Sequence, residues 1–150
     1  MKEKLAKIRD LIQEHPDPTS GMQAVVSYLF STFPRYSWVG IYLVKDRRLV
    51  LGPWASPQAT EHSEIDIGTG ICGLAARTKE TVVVDKVDDH EEYLACFPET
   101  KSEIVVPMTR GDSCVGEIDI DSEIPSAFGL DDQAFLEEVA RMLVEAYLSN

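Results

Sequence analysis

The residue types best suited to chemistry lie in one extended segment in the last third of the chain. From Ser113 to Asp121 the residues alternate in character, and one side of the expected strand carries Val115, Glu117, Asp119 and Asp121. The opposite side carries Cys114, Gly116, Ile118 and Ile120. The acids either face water on a half-solvated antiparallel sheet or line a site for a ligand.

Two aromatic residues occur at strand spacing nearer the N-terminus. Trp38 and Tyr42 project on the same side of the segment Ser37 to Val44, together with Gly40. Such residues are often ordinary core. If their face is also the one that bears the acids, aromatic rings beside carboxylates form a seat for an ammonium group, and a cationic or zwitterionic ligand is expected.

Three cysteines are the candidate nucleophiles. Strand alternation places Cys114 on the apolar face, away from the acids, unless a bulge intervenes. Cys72 lies at the start of an expected helix, where partial positive charge favours the thiolate. Cys96 has no such help, but Glu103 opens a strand just after its loop and either reaches toward the sulfur or is a solvated strand end. Cys72 and Cys96 therefore both remain candidates.

Helices at both ends enclose the segments that position these residues. Apolar residues at helical spacing predict a first helix that Pro16 and Pro18 end, and a second that Thr19 or Ser20 caps and Pro34 ends. Asp131 or Asp132 caps a closing amphipathic helix. Its apolar stripe consists of Phe135, Leu136, Val139, Leu143 and Tyr147.

The middle of the chain has the short period of a meander. A hairpin joins Ser37 to Val44 with the run LVLGPW, and a polar strand at His62 to Ile67 leads to a tight turn at Gly68 and Gly70 before a short helix. After it come a strand TVVVD, a helical turn from His90 to Leu94, and the strands SEIVVPM and SCVGEIDIDS joined at the RGD turn. The order predicts an α+β fold with its helices gathered on one sheet face.

Composition limits the classes of partner. The 150 residues suit a single domain over 1–150, and the 44% apolar content suits a packed core. A formal net charge of −12 disfavours nucleic acid and anionic membranes. Because no apolar run has the length of a signal peptide or a membrane span, we expect a cytoplasmic protein with reduced thiols and no disulfide framework.

Six strings, in order, carry a resemblance to a known family: WVGIY, LVLGPW, GTGICG, YLAC, SEIVVP and GEIDIDS. Together they resemble the GAF-domain free methionine-(R)-sulfoxide reductases over most of Ser37 to Ser122. The resemblance implies a GAF-like central antiparallel sheet, with the N- and C-terminal helices on one face and a ligand pocket on the other.

The resemblance also implies roles for individual residues. Cys96 corresponds to the nucleophile that attacks the sulfoxide sulfur, and Cys72 to a second cysteine able to resolve the resulting sulfenic acid as a disulfide for thioredoxin to reduce. The carboxylates that hold the substrate and assist proton transfer correspond to Glu103, Asp119 and Asp121, and the aromatic wall to Trp38 and Tyr42. This chemistry implies no metal and no bound cofactor.

Two departures from the family pattern leave an alternative function open. His62 stands where the family usually has another cysteine, and Phe97 changes the surroundings of Cys96. The leading hypothesis is thiol-dependent reduction of free L-methionine (R)-sulfoxide to methionine. The alternative is a non-catalytic GAF domain that binds or senses a small molecule. In either case the amphipathic terminal helices favour a homodimer.

Overall fold

One sheet with helices packed on both of its faces organises the chain. The computed structural model describes residues 1–60, 62–91, 93 and 97–149. Within these residues the elements are α1 (Lys2–Glu14), α2 (Pro18–Thr32), β1 (Trp38–Lys45), β2 (Arg48–Ala55), β3 (Glu64–Asp66), α3 (Gly70–Thr78), β4 (Val82–Val84), a 3-10 turn (Val87–Asp89), β5 (Ser102–Arg110), β6 (Ser113–Ser122) and α4 (Leu130–Tyr147). No helix in this described part is long and apolar enough to cross a bilayer.

The strands form one antiparallel sheet in the order β3-β2-β1-β6-β5-β4. Helices α1, α2 and α4 pack on one face, where residues such as Leu29, Ile118 and Leu136 are fully buried in a common core. Helix α3 lies on the other face, over β5 and β6, and contributes to a second buried cluster with Trp38 and Tyr42. The predicted α+β architecture, with terminal helices on one face, is confirmed.

A β-bulge changes the faces of two residues in β6. The pairing between β5 and β6 shifts after Met108, so that Met108 lies opposite Gly116 and Thr109 lies opposite Cys114. Val115 consequently packs against the helix-side core, and Cys114 packs against the cluster on the other face. The prediction that Cys114 faces away from the acids, with Val115 beside them, is therefore wrong.

The helix boundaries differ locally from those predicted. Asp17 caps α2, since its Oδ2 accepts a 2.9 Å hydrogen bond from the Ser20 amide, and Pro18 begins that helix instead of ending the previous one. Gly129 is the N-cap of α4, and its amide donates to Asp132 Oδ2 at 2.8 Å. The observed N-caps therefore lie two or three residues before the predicted ones, which were Thr19 or Ser20 for α2 and Asp131 or Asp132 for α4.

The segment after β4 forms its short turn earlier than expected. A 3-10 turn spans Val87–Asp89, whereas the predicted turn began at His90. The predicted turn ran from His90 to Leu94, and its positions 92 and 94 lie outside the described residues.

Two glycines allow α3 to begin close to β3. Gly70, the first residue of α3, has a φ of 73°, which favours glycine. Gly73 lies so close to the preceding chain that a Cβ there would stand 2.5 Å from the Ile67 carbonyl oxygen. This close approach fixes the helix that carries Cys72 in its first turn, as predicted.

We expect Gly73→Ala to destabilise the protein by about 1–3 kcal/mol, because the added methyl group meets backbone that cannot rotate away. Gly68→Ala is the matched control, since the nearest atom to its Cβ is a carboxylate oxygen of Asp66 at 3.3 Å, on a side chain that can move. Urea unfolding measures both. Equal destabilisation by the two substitutions would contradict this account of how α3 is held.

Candidate active site

The strand register brings the predicted acids and aromatics together on one face of the sheet. Across β1 and β6, Trp38 lies opposite Asp121, Gly40 opposite Asp119 and Tyr42 opposite Glu117. Strand β5 adds a further carboxyl, since Glu103 pairs with Asp121. Paired residues on neighbouring strands project to the same side. The aromatic face and the acidic face are thus the same face.

The acids do not face water. Their exposed fractions are 6% for Glu103, 0% for Glu117, 4% for Asp119 and 3% for Asp121. They lie on the central strands of the sheet, beneath α3, in the same layer as the second buried cluster. The interpretation of this strand as a half-solvated sheet surface is therefore excluded.

The aromatic side of the site depends on a glycine. Trp38 and Tyr42 are 2% and 1% exposed, and their ring centroids are 6.3 Å apart. The Trp38 ring extends along β1 over Gly40, where a Cβ would stand 2.1 Å from the ring. The Tyr42 hydroxyl donates a 2.7 Å hydrogen bond to the carbonyl oxygen of His62, so the position where the family usually has a cysteine holds an aromatic wall residue in place.

Cys72 lies among the carboxyls. Its sulfur and one carboxylate oxygen from each of Glu103 and Asp119 all lie within 4.8 Å of one another. Negatively charged or polarisable atoms at this spacing can together surround one small cation, including the ammonium group of an amino acid. The predicted residues Cys72, Glu103 and Asp119 therefore do converge.

Several carboxylate oxygens in the site lack a protein partner. Within the described part of the chain, no hydrogen bond reaches either carboxylate oxygen of Glu117, or the Oδ1 atoms of Asp119 and Asp121. Buried polar atoms normally have hydrogen-bond partners, because leaving one without a partner costs about 1–3 kcal/mol. The cost is higher for a charged group. A group of unpaired acceptors on one buried face indicates a site built for a ligand that donates hydrogen bonds.

Burial raises the pKa values of these acids. For Asp121, burial and then the charge of Asp119 raise the pKa well above its ordinary value, while hydrogen bonds with Glu103 and Thr100 oppose the shift. For Glu117, burial and then the charge of Asp119 raise the pKa well above its ordinary value, and the neighbouring Cys72 thiol opposes this shift. Burial also raises the pKa of Asp119. The cluster therefore retains protons that exposed acids would release.

The same surroundings overturn the expectation that Cys72 is a ready thiolate. Burial first, and then the charges of Asp119, Glu117 and Glu103, raise the pKa of Cys72 well above its ordinary value. The favourable field at the start of α3 is too weak to reverse these effects, since a helix terminus contributes about 1 kcal/mol or less at most sites. Cys72 rests as a neutral thiol.

The other two cysteines are Cys114, which the structure describes, and Cys96, which it does not. Cys114 is half-buried, donates a hydrogen bond to the Gly116 carbonyl oxygen, and has a pKa raised by burial and by the charge of Glu117. Cys96 lies outside the described residues, so its predicted convergence with the acids stays a prediction. On either side of it, Tyr93 and Phe97 pack against the cluster that contains Trp38 and Tyr42.

Glu117 is a site residue whose importance the sequence reasoning did not single out. It belongs to the same alternation as Asp119 and Asp121, and the paired Tyr42 gives it the same aromatic neighbour. The alternation of β6 was therefore enough to identify Glu117 as a site residue.

A separate surface cavity of about 670 Å³ lies between α4 and β5. Its lining, which includes Lys79 and Arg141, contains none of the site's acids.

The sheet carries the buried acids and the aromatic residues beneath α3, and together these define a candidate ligand site on an α+β domain. The GAF domain family matches residues 17–147. The chain is 40% identical over 111 residues to free methionine-R-sulfoxide reductase of Saccharomyces cerevisiae, which is 71% of this chain and 61% of that protein, and 30% identical to the Escherichia coli protein of that name, over 77% of this chain and 68% of that one.

A solved structure gives the same result. The chain superposes on free methionine-R-sulfoxide reductase from Neisseria meningitidis, in complex with its substrate, with a TM-score of 0.92 and 34% identity, covering 99% of this chain and 88% of that one. The chain therefore belongs to the GAF-domain family, in the group of free methionine-(R)-sulfoxide reductases. The resemblance found in the sequence is confirmed.

We expect the ligand-free protein to melt at a lower temperature at pH 8 than at pH 5. The folded state keeps protons on the buried carboxyls that the unfolded chain loses above about pH 4, so stability falls as the pH rises toward the raised folded pKa values. Asp121→Asn should raise the melting temperature at pH 8 and flatten its dependence on pH, because it removes one of these carboxyls. Each unit by which burial raises the pKa of that carboxyl costs about 1.4 kcal/mol of stability at high pH.

Glu145→Gln is the control, because it removes the same charge from an exposed position on α4. Calorimetry from pH 5 to pH 8 follows all three proteins. A melting temperature that rises with pH over this range in the parent protein would contradict the assignment of raised pKa values to the buried acids.

Proposed function

We propose that the protein reduces free L-methionine (R)-sulfoxide to methionine by thiol chemistry. The observation that carries the proposal is the buried face on which unpaired carboxylate oxygens stand beside two aromatic rings. The yeast, Escherichia coli and Neisseria relatives are free methionine-R-sulfoxide reductases, and the chain spans 61% of the length of the yeast relative.

The site suits a free amino acid. The ammonium group of the substrate would lie among Glu103, Asp119 and Asp121, where it supplies the hydrogen bonds that the Oδ1 atoms of Asp119 and Asp121 lack. The methyl sulfoxide end would lie against Trp38 and Tyr42. A methionine sulfoxide within a peptide has no free ammonium group, so the same carboxyls select the free amino acid.

The reaction needs a nucleophilic sulfur and a proton. In this proposal the Cys96 thiolate attacks the sulfoxide sulfur, an acid among Glu103, Asp119 and Asp121 protonates the sulfoxide oxygen, and methionine leaves as that oxygen transfers to Cys96 as a sulfenic acid. The raised pKa values of Asp119 and Asp121 support this role, since a carboxyl must retain a proton near neutral pH to donate one.

Two further features support the place of Cys96 in the reaction. Its described neighbours Tyr93 and Phe97 pack against the cluster that contains Trp38 and Tyr42. Glu103 follows in β5 and is buried beside Asp121. In this proposal Cys72 then resolves the sulfenic acid as a disulfide, and thioredoxin reduces that disulfide from outside.

The remaining parts of the proposal concern the whole molecule. The chain acts as one domain over residues 1–150, as a cytoplasmic homodimer joined through its terminal helices, and with neither a metal nor a bound cofactor. The buried carboxyls of the site and the net charge of −12 support a small zwitterion as partner instead of nucleic acid.

A second candidate function is ligand binding without turnover. The observation that favours it is the protonated, buried Cys72 together with His62, whose backbone carbonyl holds Tyr42 where the family usually has a cysteine. In this case the acids and aromatics bind the same kind of zwitterion, and the thiols take no part.

We expect the purified protein with thioredoxin and its reductase to consume the (R) sulfoxide of free methionine, and neither the (S) form nor N-acetylmethionine sulfoxide. Cys96→Ser should abolish turnover, and Asp119→Asn should lower kcat/KM at least 100-fold, because it removes a charged hydrogen-bond partner from the site. Cys114→Ser is the control and should retain most activity. Calorimetric binding by the parent without turnover would instead establish the binding function.

A further inference from the structure

The sulfur of Cys72 belongs to a group of three side chains that are all of metal-ligand type. Its Sγ atom and one carboxylate oxygen from each of Glu103 and Asp119 lie within 4.8 Å of one another. The exposed fractions of these three residues are 5%, 6% and 4%, so the group is shielded from water. An ion with bonds of about 2.0–2.3 Å to all three atoms would hold them roughly 3–4 Å apart. Small side-chain movements are therefore enough for all three atoms to reach one ion.

We propose that Cys72, Glu103 and Asp119 bind one thiophilic divalent metal ion, such as Zn²⁺. The inference goes beyond the proposed function and does not depend on it, because it concerns binding and not turnover. In relation to that function the ion is an inhibitor and not a cofactor, since it occupies the position proposed for the ammonium group of the substrate.

Two central strands and one helix bring the three ligands together. Asp119 pairs with Val105, and Glu103 lies two residues earlier in β5, which makes Glu103 and Asp119 diagonal neighbours on one face of the sheet. The long side chain of Glu103 can span this diagonal. Cys72 comes from the first turn of α3, which packs over both strands and begins at the close approach of Gly73 to the preceding chain. Ligands on elements fixed in this way keep their spacing.

A buried carboxylate oxygen without a partner is the independent sign of a ligand at this position. Asp119 is 4% exposed, and no hydrogen bond reaches its Oδ1 atom from the residues that the structure describes. The Oδ1 atom of Asp121, two residues further along β6, is in the same state. Such atoms are costly in a folded protein unless water, an ion or another ligand satisfies them.

The sulfur favours a metal ion over an organic cation for this group of three. An ammonium group binds by donating hydrogen bonds, and sulfur is a weak acceptor compared with a carboxylate oxygen. A thiolate is a preferred ligand of Zn²⁺ and other soft or borderline ions, and carboxylates also bind Zn²⁺. Mg²⁺ and Ca²⁺ take six or more oxygen ligands. We therefore expect selectivity for Zn²⁺ over Mg²⁺.

The charges around Cys72 also favour a cation. Burial raises the pKa of Cys72, and the charges of three acids raise it further. These acids are Asp119, Glu117 and Glu103. A divalent ion offsets two negative charges in a buried space, where water screens charges only weakly. Cys72 binds the ion as a thiolate, so the thiol proton passes to the solvent on binding.

The test makes Cys72 the single thiol of the whole chain. Co²⁺ is added to protein that carries Cys96→Ser and Cys114→Ser, because Zn²⁺ has a filled d shell and gives no spectrum of its own. A thiolate bound to Co²⁺ gives a charge-transfer band in the near ultraviolet. We expect this band to form, to disappear when Zn²⁺ displaces Co²⁺, and to be absent when Cys72→Ser is added. A single-thiol protein without the band would overturn the inference.

Competition with a chromophoric chelator gives the affinity of the single-thiol protein for Zn²⁺. We expect Asp119→Asn and Glu103→Gln each to weaken binding at least about 10-fold, since loss of a side chain that only supports a metal ligand already costs about 10–100-fold. Asp112→Asn is the matched control, because it removes the same charge from an exposed turn, and it should change the affinity less than about threefold. Equal affinities of Asp119→Asn and Asp112→Asn would refute this choice of ligands.

Melting curves keep the inference testable if a carboxyl variant does not fold, as judged by circular dichroism. An ion that binds only the folded state raises the melting temperature. Zn²⁺ should raise the melting temperature of the single-thiol protein, and Mg²⁺ at the same concentration should not. The shift caused by Zn²⁺ should be lost on adding Cys72→Ser. An equal shift with and without Cys72 would show that Zn²⁺ binds elsewhere and would overturn the inference.

Discussion

Burial of several carboxyl groups on one face of the sheet is the constraint on which the rest of the structure depends. Glu103, Glu117, Asp119 and Asp121 are almost completely buried, and oxygens of the last three lack hydrogen bonds within the described part of the chain. This arrangement is unfavourable for the empty protein, since burial penalises every charged form. It is favourable only when a cation or a donor of several hydrogen bonds occupies the same space. The site thus sacrifices stability for binding.

The opposite face of the sheet supplies the stability that this site costs. Helices α1, α2 and α4 bury a core there that contains Leu29, Ile118 and Leu136, all fully shielded from solvent. Because β1, β5 and β6 are central strands paired on both sides, they hold the acids and aromatics in a fixed register. A rigid sheet with one stabilising face and one functional face is what the alternating strands encode.

Strand alternation explains why so much of the site could be predicted from the sequence. The period of two places Trp38 and Tyr42 on the same side of β1, and Asp119 and Asp121 on the same side of β6. The antiparallel pairing of β1 with β6 puts both pairs on one face of the sheet. The same rule failed for Cys114, because one extra residue at a bulge reverses the faces beyond it. A bulge depends on how two strands pair, so the residues of a single strand do not reveal it.

The reactivity of Cys72 was beyond prediction for a related reason. A position at the start of a helix is visible in the sequence, but the carboxyls that surround the sulfur come from β5 and β6, about 30 residues or more further along the chain. Their effect exceeds that of the helix terminus. Helix caps were misplaced by smaller margins, since Asp17 and Gly129 compete with adjacent residues that have similar capping ability.

The acids create a conflict that the proposed substrate itself reduces. The negative charges that suit an ammonium group also raise the pKa of Cys72 and oppose a thiolate nearby. When the ammonium group binds, its positive charge lowers the pKa values of the carboxyls and of the thiol together. The empty site therefore favours the protonated forms of its carboxyls and of its thiol, and a bound cation favours their ionised forms, so the charge of the site depends on its ligand.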